Sequence, residues 1–205
     1  MRNFVRVALL LVAVLCMVAI SEHPQTAQAS NEPSGTLPVS GKTAFWAMYK
    51  SAYSWSNDAV ALRLESKSLS GIKNDAGKAA MWTAIFGSPR RRAAIEISYT
   101  VAAQPPELAK GINIGHPITW AGPTRDVMPY QGSDIVVDSD AAYKIAAAQA
   151  ESWLKAHPDK QPSFLLGYNP TTFARPVWYV IWGDKKSGYK TFVDAKTGEV
   201  AKAIK

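Results

Sequence analysis

Residues able to do acid–base or metal chemistry are few in this sequence, and they lack partners at the spacing that such chemistry needs. Of the three histidines, His23 belongs to an N-terminal segment that we expect to be removed. His116 and His157 each precede a proline, which favours extended backbone at a loop or at a helix end. Neither has a neighbour at metal-ligand spacing, and the sequence contains no H-E-x-x-H or G-x-S-x-G motif. We therefore expect no catalytic residue, no metal site and no cofactor.

Two other polar patterns look like sites but are explained better by turns and helix caps. Lys196-Thr197-Gly198, with an S-x-x-K such as Ser70–Lys73, forms part of the set found in penicillin-recognising enzymes. No S-D-N follows, and the chain is too short for that fold. Asp138 and Asp140, near Asp134, could hold a cation, but no glycine-containing calcium loop follows and helix capping explains them. These patterns predict that the protein is not an enzyme.

The densest run of charge is Arg90-Arg91-Arg92, in a segment whose proline marks a turn. One interpretation is contact with an anion or a partner at a hairpin tip, where salt and water screen the mutual repulsion. The alternative is a turn that only improves solubility, because exposed charges contribute little to stability. We take Arg90, Arg91 and Arg92, with Trp178 and Tyr179, as candidate residues for binding a partner.

Several aromatic residues could extend such a binding face where they are exposed, although core packing accounts for most aromatic side chains. They are Trp46, Trp55, Trp120, Tyr130 and Tyr179.

The first thirty residues have the order of a secretory signal peptide. Arg2 and Arg6 precede the apolar run Val7–Ile20, and Ala27-Gln28-Ala29 offers a cleavage site before Ser30. We therefore expect cleavage after Ala29, with Ala27 and Ala29 as the small residues that the peptidase recognises. The protein would then be exported, to the periplasm or to the extracellular space.

Two alternatives remain open for this segment. An uncleaved membrane anchor is one, although the apolar run is shorter than the roughly 20 residues that span a bilayer. Membrane contact would then occur only through that anchor. A lipoprotein is the other, but Leu15 before Cys16 is not the small residue that lipidation needs.

Charge and cysteine content limit the kinds of partner and the means of stabilisation. Removal of residues 1–29 takes away Arg2, Arg6 and Glu22, so the net charge falls from +7 to +6. It also removes Cys16, which is the only cysteine, so the mature chain forms no disulfide. An exported chain without a recognised binding motif is not expected to bind nucleic acid. The partner that we expect is another envelope or secreted protein.

Beyond the signal segment, the chain divides into two stretches of similar pattern. Residues 30–41 are a polar linker rich in proline, glycine and serine. Residues 42–103 form a first α+β repeat, and residues 104–138 a Pro/Gly-rich connection with short strands. Residues 139–205 form a second α+β repeat.

In each repeat, a helical pattern precedes strands with alternating or continuous apolar residues. Phe45, Met48 and Ala52 share one face of the first helix, and the second helix begins with Ser139 or Asp140 as its cap. The predicted strands cover residues 58–66, 79–87, 93–101, 163–168, 177–183, 189–195 and 199–203, with shorter ones at 111–115 and 133–138.

A single offset of 96 residues aligns elements of the two halves: Trp82 with Trp178, Ala44 with Asp140, and Ile97 with Val193. One offset shared by three elements predicts an internal duplication. The alternative is a chance match between two similar strand-turn-strand units.

The order of a helix, then PVWYVIWG, then SGYKTFVDAKTGEV resembles the PepSY domain. The matching residues are Trp178, Asp194, Thr197, Gly198 and Val200. The resemblance covers about residues 139–203 well and residues 42–101 only through the repeat. It implies an α+β fold of two helix-plus-antiparallel-sheet repeats, PepSY/cystatin-like. A tandem pair is also similar to small secreted enzyme inhibitors built from two such repeats.

What the resemblance implies about function is contact rather than catalysis. PepSY domains are small extracytoplasmic modules that are proposed to inhibit or bind partners, and they have no catalytic residues to carry over. We therefore expect an exported, non-enzymatic binding or inhibitory module that contacts another envelope or secreted protein. The alternatives are a carrier of a small apolar ligand in a groove between helix and sheet, and an unrecognised hydrolase around His116 or His157.

Overall fold

Helices and one large antiparallel sheet make up the fold, which is therefore α+β. The structure is a computed structural model that describes residues 37–184 and 188–201. The predicted signal segment, with Cys16 and the cleavage site at Ala27 and Ala29, lies outside the described residues. The helices are α1 (Gly41–Trp55), α2 (Ser139–Gln149) and α3 (Glu151–Ala156), and the strands are β1 (Val39–Ser40), β2 (Val60–Lys67), β3 (Lys78–Ala79), β4 (Met81–Ser88), β5 (Ala93–Thr100), β6 (Gly111–Ile114), β7 (Ile118–Thr119), β8 (Pro162–Gly167), β9 (Val177–Trp182) and β10 (Tyr189–Asp194).

The strand order of the large sheet is β10-β9-β8-β2-β4-β5-β6, and β7 pairs with β5 beyond the end of β6. The small β1–β3 pair stands apart from it. Seven of the predicted strands are confirmed within two residues of their bounds, because each carries the alternating or continuous apolar pattern of a strand that packs against a core.

Helices α1 and α2 lie on the same face of the sheet and form one core with it. Helix α1 begins at the cap Ser40, whose side chain accepts a hydrogen bond from the Thr43 N–H. It buries Ala44, Phe45 and Met48 against the first half of the sheet. Helix α2 presents smaller residues, among them Ala142 and Ala146, to the second half.

The predicted cap of α2 was wrong by one or two residues. The cap is Asp138, whose Oδ1 accepts hydrogen bonds from the Ser139 N–H at 2.6 Å and from the Lys42 N–H of α1 at 2.8 Å. One carboxylate therefore satisfies donors at the first turns of two helices, which a pattern confined to α2 does not show.

The two halves of the sheet join through the antiparallel pair β2 and β8, with Leu64 opposite Leu166. The Phe164 N–H also donates to the Ser66 Oγ across this join, at 2.9 Å. Above it, the fully buried Ser139 Oγ accepts from the Gly41 N–H at 2.7 Å and donates to the Gly77 carbonyl at 2.5 Å. The starts of both helices and the turn before β3 therefore share one hydroxyl group.

Two tryptophans occupy corresponding places in the two halves. The Trp82 Nε1–H donates to the Val39 carbonyl at 3.0 Å, and the Trp178 Nε1–H donates to the Val137 carbonyl at 2.9 Å. Both acceptors lie just before a helix, and the two rings meet edge to face with centroids 6.2 Å apart. Each ring thus ties the backbone before a helix to the second strand of its half.

The 96-residue offset does not extend from these tryptophans to the other elements. The first residues of the helices, Gly41 and Ser139, are 98 apart. Val193 pairs with Trp178, whereas the residue paired with Trp82 is Tyr99 and not Ile97. The reason lies in the lengths of the strands and turns: β4 and β5 have 8 residues each and β9 and β10 have 6 each, whereas the turn at 89–92 is shorter than the turn at 183–188.

Two predicted strands were wrong or incomplete. Residues 133–138 form no strand, because Gly132–Asp134 is a 3-10 turn closed by the Asp134 side chain on the Gln131 N–H, at 2.9 Å. The predicted strand at 199–203 is reduced, within the described residues, to one bridge between Val193 and Val200, and residues 202–205 lie outside them.

The two edges of the sheet differ. At one edge, the Ala201 N–H donates to the Phe192 carbonyl at 2.8 Å, so the C-terminal segment covers part of β10. At the other edge, β6 and β7 are separated by Gly115-His116-Pro117 and both pair with β5.

Among the described residues, no helix is both long and apolar enough to cross a bilayer.

Removal of the shared hydroxyl group should weaken the whole fold. We expect Ser139→Ala to lower the free energy of unfolding by about 1–3 kcal/mol, because the buried Gly41 N–H and Gly77 carbonyl each lose a hydrogen-bond partner. Urea unfolding followed by circular dichroism measures this. The control is Ser54→Ala, whose exposed hydroxyl bonds only to the Lys50 carbonyl within α1. Equal effects of the two substitutions would show that the join does not depend on Ser139.

Candidate functional site

The arginine turn (Arg90–Arg92) connects β4 to β5 and is held by one carboxylate. Asp58, just after α1, accepts hydrogen bonds on Oδ1 from the Ser56 hydroxyl at 2.6 Å and the Ser88 hydroxyl at 2.7 Å. Its Oδ2 accepts from the Arg90 N–H at 2.8 Å. The hydrogen bonds from Ser56, from Ser88 and from the Arg90 backbone hold the pKa of Asp58 well below its usual range.

The guanidinium groups of this turn are oriented by neutral partners. Arg90 donates to the side-chain oxygen of Asn57, and the Arg91 guanidinium carbon lies 5.4 Å from the centre of the Trp55 ring. Within residues 37–184 and 188–201, the ion pairs of the protein involve other cations than these three arginines. The turn is therefore fixed in place while its positive charge stays available to an external anion.

Aromatic rings continue this surface along the exposed face of α1. Trp46 is 41% exposed and Tyr53 is 55% exposed. Tyr49 lies between them, with ring centroids 5.6 Å from Trp46 and 6.4 Å from Tyr53. Where α1 ends, an open cleft is lined by Tyr53, Trp55, Arg90 and Arg91, among others.

The other aromatic candidates differ in their exposure. Trp55 and Trp120 are partly buried, and Tyr130 is 3% exposed with a hydroxyl group that has no partner within the described residues. Burial raises the pKa of Tyr130 far above its usual range. Tyr130 belongs to the core and not to a binding face.

Trp178 is a correction to the predicted partner-binding set. Its side chain is fully buried between the sheet and the helices, and its indole N–H is already bonded to the Val137 carbonyl. Successive residues of a strand point to opposite faces, so Trp178 points to the helices and Tyr179 to the other face. Only Tyr179 of this pair can contact a partner.

Tyr179 lies on the face of the sheet that the helices leave uncovered. Its ring makes edge contacts with Phe192 of β10 at 5.1 Å and with Phe173 of the preceding loop at 5.8 Å. Its side chain is half-buried, and this burial raises the pKa of Tyr179. A shallow surface cavity adjoins it, with Leu62 and Leu165 in its wall.

The structure does not bring the two parts of the predicted site together. The arginine turn lies at the tip of the β4–β5 hairpin, in the first half of the sheet. Tyr179 lies on β9 in the second half, and strands β8 and β2 separate β9 from β4. We call the first surface the arginine–aromatic patch (Trp46, Tyr53, Trp55 and Arg90–Arg92) and the second the open sheet face (Leu165, Tyr179 and Phe192).

The D-x-x-T-G segment is a turn built on Asp194. Its Oδ1 accepts from the Lys196 and Thr197 N–H groups at 2.8 and 2.9 Å, and Gly198 adopts a φ of +77°. Arg175 donates to its Oδ2 at 2.7 Å. Desolvation acts to raise the pKa of Asp194, but the hydrogen bonds from Arg175, Thr197 and Lys196 outweigh it and leave the pKa below its usual range.

The histidines and aspartates considered in the sequence do not converge. His116 is exposed, whereas His157 stacks on Trp153 at 4.1 Å and its Nδ1 lies 2.9 Å from the Trp153 carbonyl oxygen. Asp138 is a helix cap and Asp134 closes the 3-10 turn. The described part of the chain contains no group of three or more histidine, cysteine, aspartate or glutamate residues that could hold a metal ion.

Comparison with known proteins assigns this chain to no family. No family model matches the chain, and no curated protein sequence matches it. Among solved structures, it is similar to a candidate lipoprotein from Clostridium difficile 630, with 11% identity, a TM-score of 0.47, and coverage of 78% of this chain and 91% of that chain. A likeness of this strength assigns neither a fold family nor a function.

The hydrogen bonds to Asp58 predict a pH-dependent effect on stability. Because the pKa of Asp58 is lower in the folded protein than in the unfolded chain, its ionised carboxylate adds to the free energy of unfolding. This contribution is fully present above the pKa of an unfolded aspartate, about 4, and is lost as the pH falls through the folded-state pKa. We expect Asp58→Asn to lower the melting temperature at pH 7, and the difference from the native chain to shrink below pH 4. Thermal unfolding between pH 7 and pH 2 measures this. The control is Glu107→Gln in an exposed loop, and a pH-independent difference for Asp58→Asn would contradict the assignment.

Proposed function

We propose that this protein is an exported, non-enzymatic module that binds another envelope or secreted protein through the open sheet face. The observation that carries the proposal is the position of Tyr179, Leu165 and Phe192, which are only partly buried on the face opposite the helices. Aromatic residues with one accessible edge are typical of protein–protein interfaces, since they bury a large area with little loss of rotamer freedom.

The polar rim of this surface fits the same role. Arg63 of β2 bonds to Glu65 at 2.8 Å, and both side chains are partly exposed beside the apolar group. Interfaces commonly combine a small apolar centre with such a rim. Addition of a strand at an edge is a less favourable mode, because the C-terminal segment covers part of β10 and a proline interrupts the opposite edge.

The alternative of a carrier for an apolar ligand is less well supported. That function needs free space between the helices and the sheet. Large side chains fill this space, and Phe45, Trp82 and Trp178 are each fully buried there. The cavities at Tyr179 and at the arginine turn lie on the surface of the molecule instead.

We further propose that the two halves are PepSY-like repeats. The equivalent tryptophan bonds to Val39 and Val137 support this, as does the antiparallel join of β2 with β8. A duplicated unit whose first strand is exposed would pair with its own copy in this way.

Site-specific photo-cross-linking tests the binding surface. We expect benzoylphenylalanine in place of Tyr179 to form a defined adduct with a protein of the source envelope, because its ring would lie inside the interface. The matched control has the same group in place of Lys144, an exposed position on α2. Denaturing gel electrophoresis and mass spectrometry identify the adducts.

Two outcomes would contradict the proposal. The absence of any adduct from position 179 would remove the open sheet face as a contact surface. Equal adducts from positions 179 and 144 would show collision without specific binding.

A further inference from the structure

The arginine–aromatic patch is a second surface that the proposed function does not use. It lies at the end of α1 and at the tip of the β4–β5 hairpin, away from Tyr179. Trp46, Lys50 and Tyr53 follow one another along the exposed face of α1 at helical spacing. The arginine turn continues this line beyond the last helical residue.

Carboxylate groups offset only part of the positive charge of the patch. Residues 41–57 contain no aspartate or glutamate, and neither do residues 88–95. Asp58 is the nearest acidic residue in sequence, and its single negative charge, held by two serine hydroxyls and the Arg90 N–H, faces the three positive charges of the arginine turn. The patch therefore presents a positive field next to exposed aromatic rings.

The geometry of the guanidinium groups favours an extended anionic surface over a small anion. Arg90 is held against Asn57 and Arg91 against the Trp55 ring, so each of these two guanidinium groups is fixed by a neighbour of its own in the wall of one open cleft. A layer of lipid headgroups offers a separate phosphate to each arginine. Tryptophan and tyrosine side chains prefer the same headgroup region, where one end of the ring is apolar and the other end is hydrated.

We propose that the arginine–aromatic patch binds the anionic headgroups of a phospholipid membrane surface. The sequence alone led us to expect membrane contact only through an uncleaved signal anchor. The patch provides a contact that the folded domain makes by itself, and it leaves the open sheet face available to a protein partner.

Vesicle binding by the chain that begins at Ser30 tests this proposal. The described residues all belong to one compact unit, so a chain that begins at Ser30 retains the fold. Vesicles of phosphatidylcholine with about one-third phosphatidylglycerol are compared with vesicles of phosphatidylcholine alone, by co-sedimentation at low and high salt. We expect binding to the anionic vesicles only, with strong weakening at high salt.

A triple substitution locates the binding surface. We expect R90Q/R91Q/R92Q to reduce partitioning onto anionic vesicles about 100-fold, since each basic residue near such a surface contributes roughly a factor of five. The matched control, K73Q/K110Q/K144Q, removes the same charge from exposed positions elsewhere and should retain most of the binding. Tyr53→Ser should weaken binding several-fold without changing the circular dichroism spectrum.

Three outcomes would overturn the proposal. Equal binding to neutral and anionic vesicles would exclude headgroup charge as the cause. Equal losses in the two triple variants would show that net charge alone is responsible. Binding to soluble polyglutamate without binding to anionic vesicles would assign the patch to an acidic protein instead. A failed cross-link at Tyr179 would leave each of these results unchanged.

Discussion

The antiparallel pairing of β2 with β8 is the contact on which the rest of this structure depends. Either half alone would have a helix over only one side of a short sheet. The backbone N–H and C=O groups along the outer edge of its first strand would then be unpaired. The join pairs these groups and brings Leu64 against Leu166 in a common core. It also places the starts of α1 and α2 close enough for Ser139 and Asp138 to bond to both. A chain with a single cysteine, which cannot form an internal disulfide, thereby obtains one core large enough for independent stability.

One-sided coverage of the sheet explains where the exposed surfaces are. Both helices lie on the face where Trp82 and Trp178 meet, so the opposite face keeps aromatic residues only partly buried. The β4–β5 hairpin is longer than its counterpart in the second half, and the additional residues carry the arginine turn away from the core. The two proposed surfaces therefore arise from separate features of the fold, and each can be occupied while the other is also bound.

Much of the secondary structure could be predicted from sequence, because apolar alternation and capping residues act over a few neighbours. The strand that holds Trp178 and Tyr179 shows the limit. Alternation establishes that these two residues face opposite sides, but it does not say which side is covered by helices.

Asp58 was missed for a related reason, since Ser88 and Arg90, which bond to it, lie 30 and 32 residues further along the chain. The 96-residue offset failed because strands and turns of unequal length in the two halves shift each element separately. The resemblance to PepSY domains stays a proposal.

The interruption at Gly115-His116-Pro117 has a consequence for the behaviour of the protein at high concentration. An uninterrupted edge strand is a template on which an unfolded or neighbouring chain can add strand after strand. Here the free edge is divided between β6 and β7, and a proline without an N–H group stands before β7. Ile114 and Ile118 are 60% and 67% exposed on either side of this break. Two exposed isoleucines can therefore remain at the edge without the continuous row of hydrogen-bonding groups that fibril growth requires.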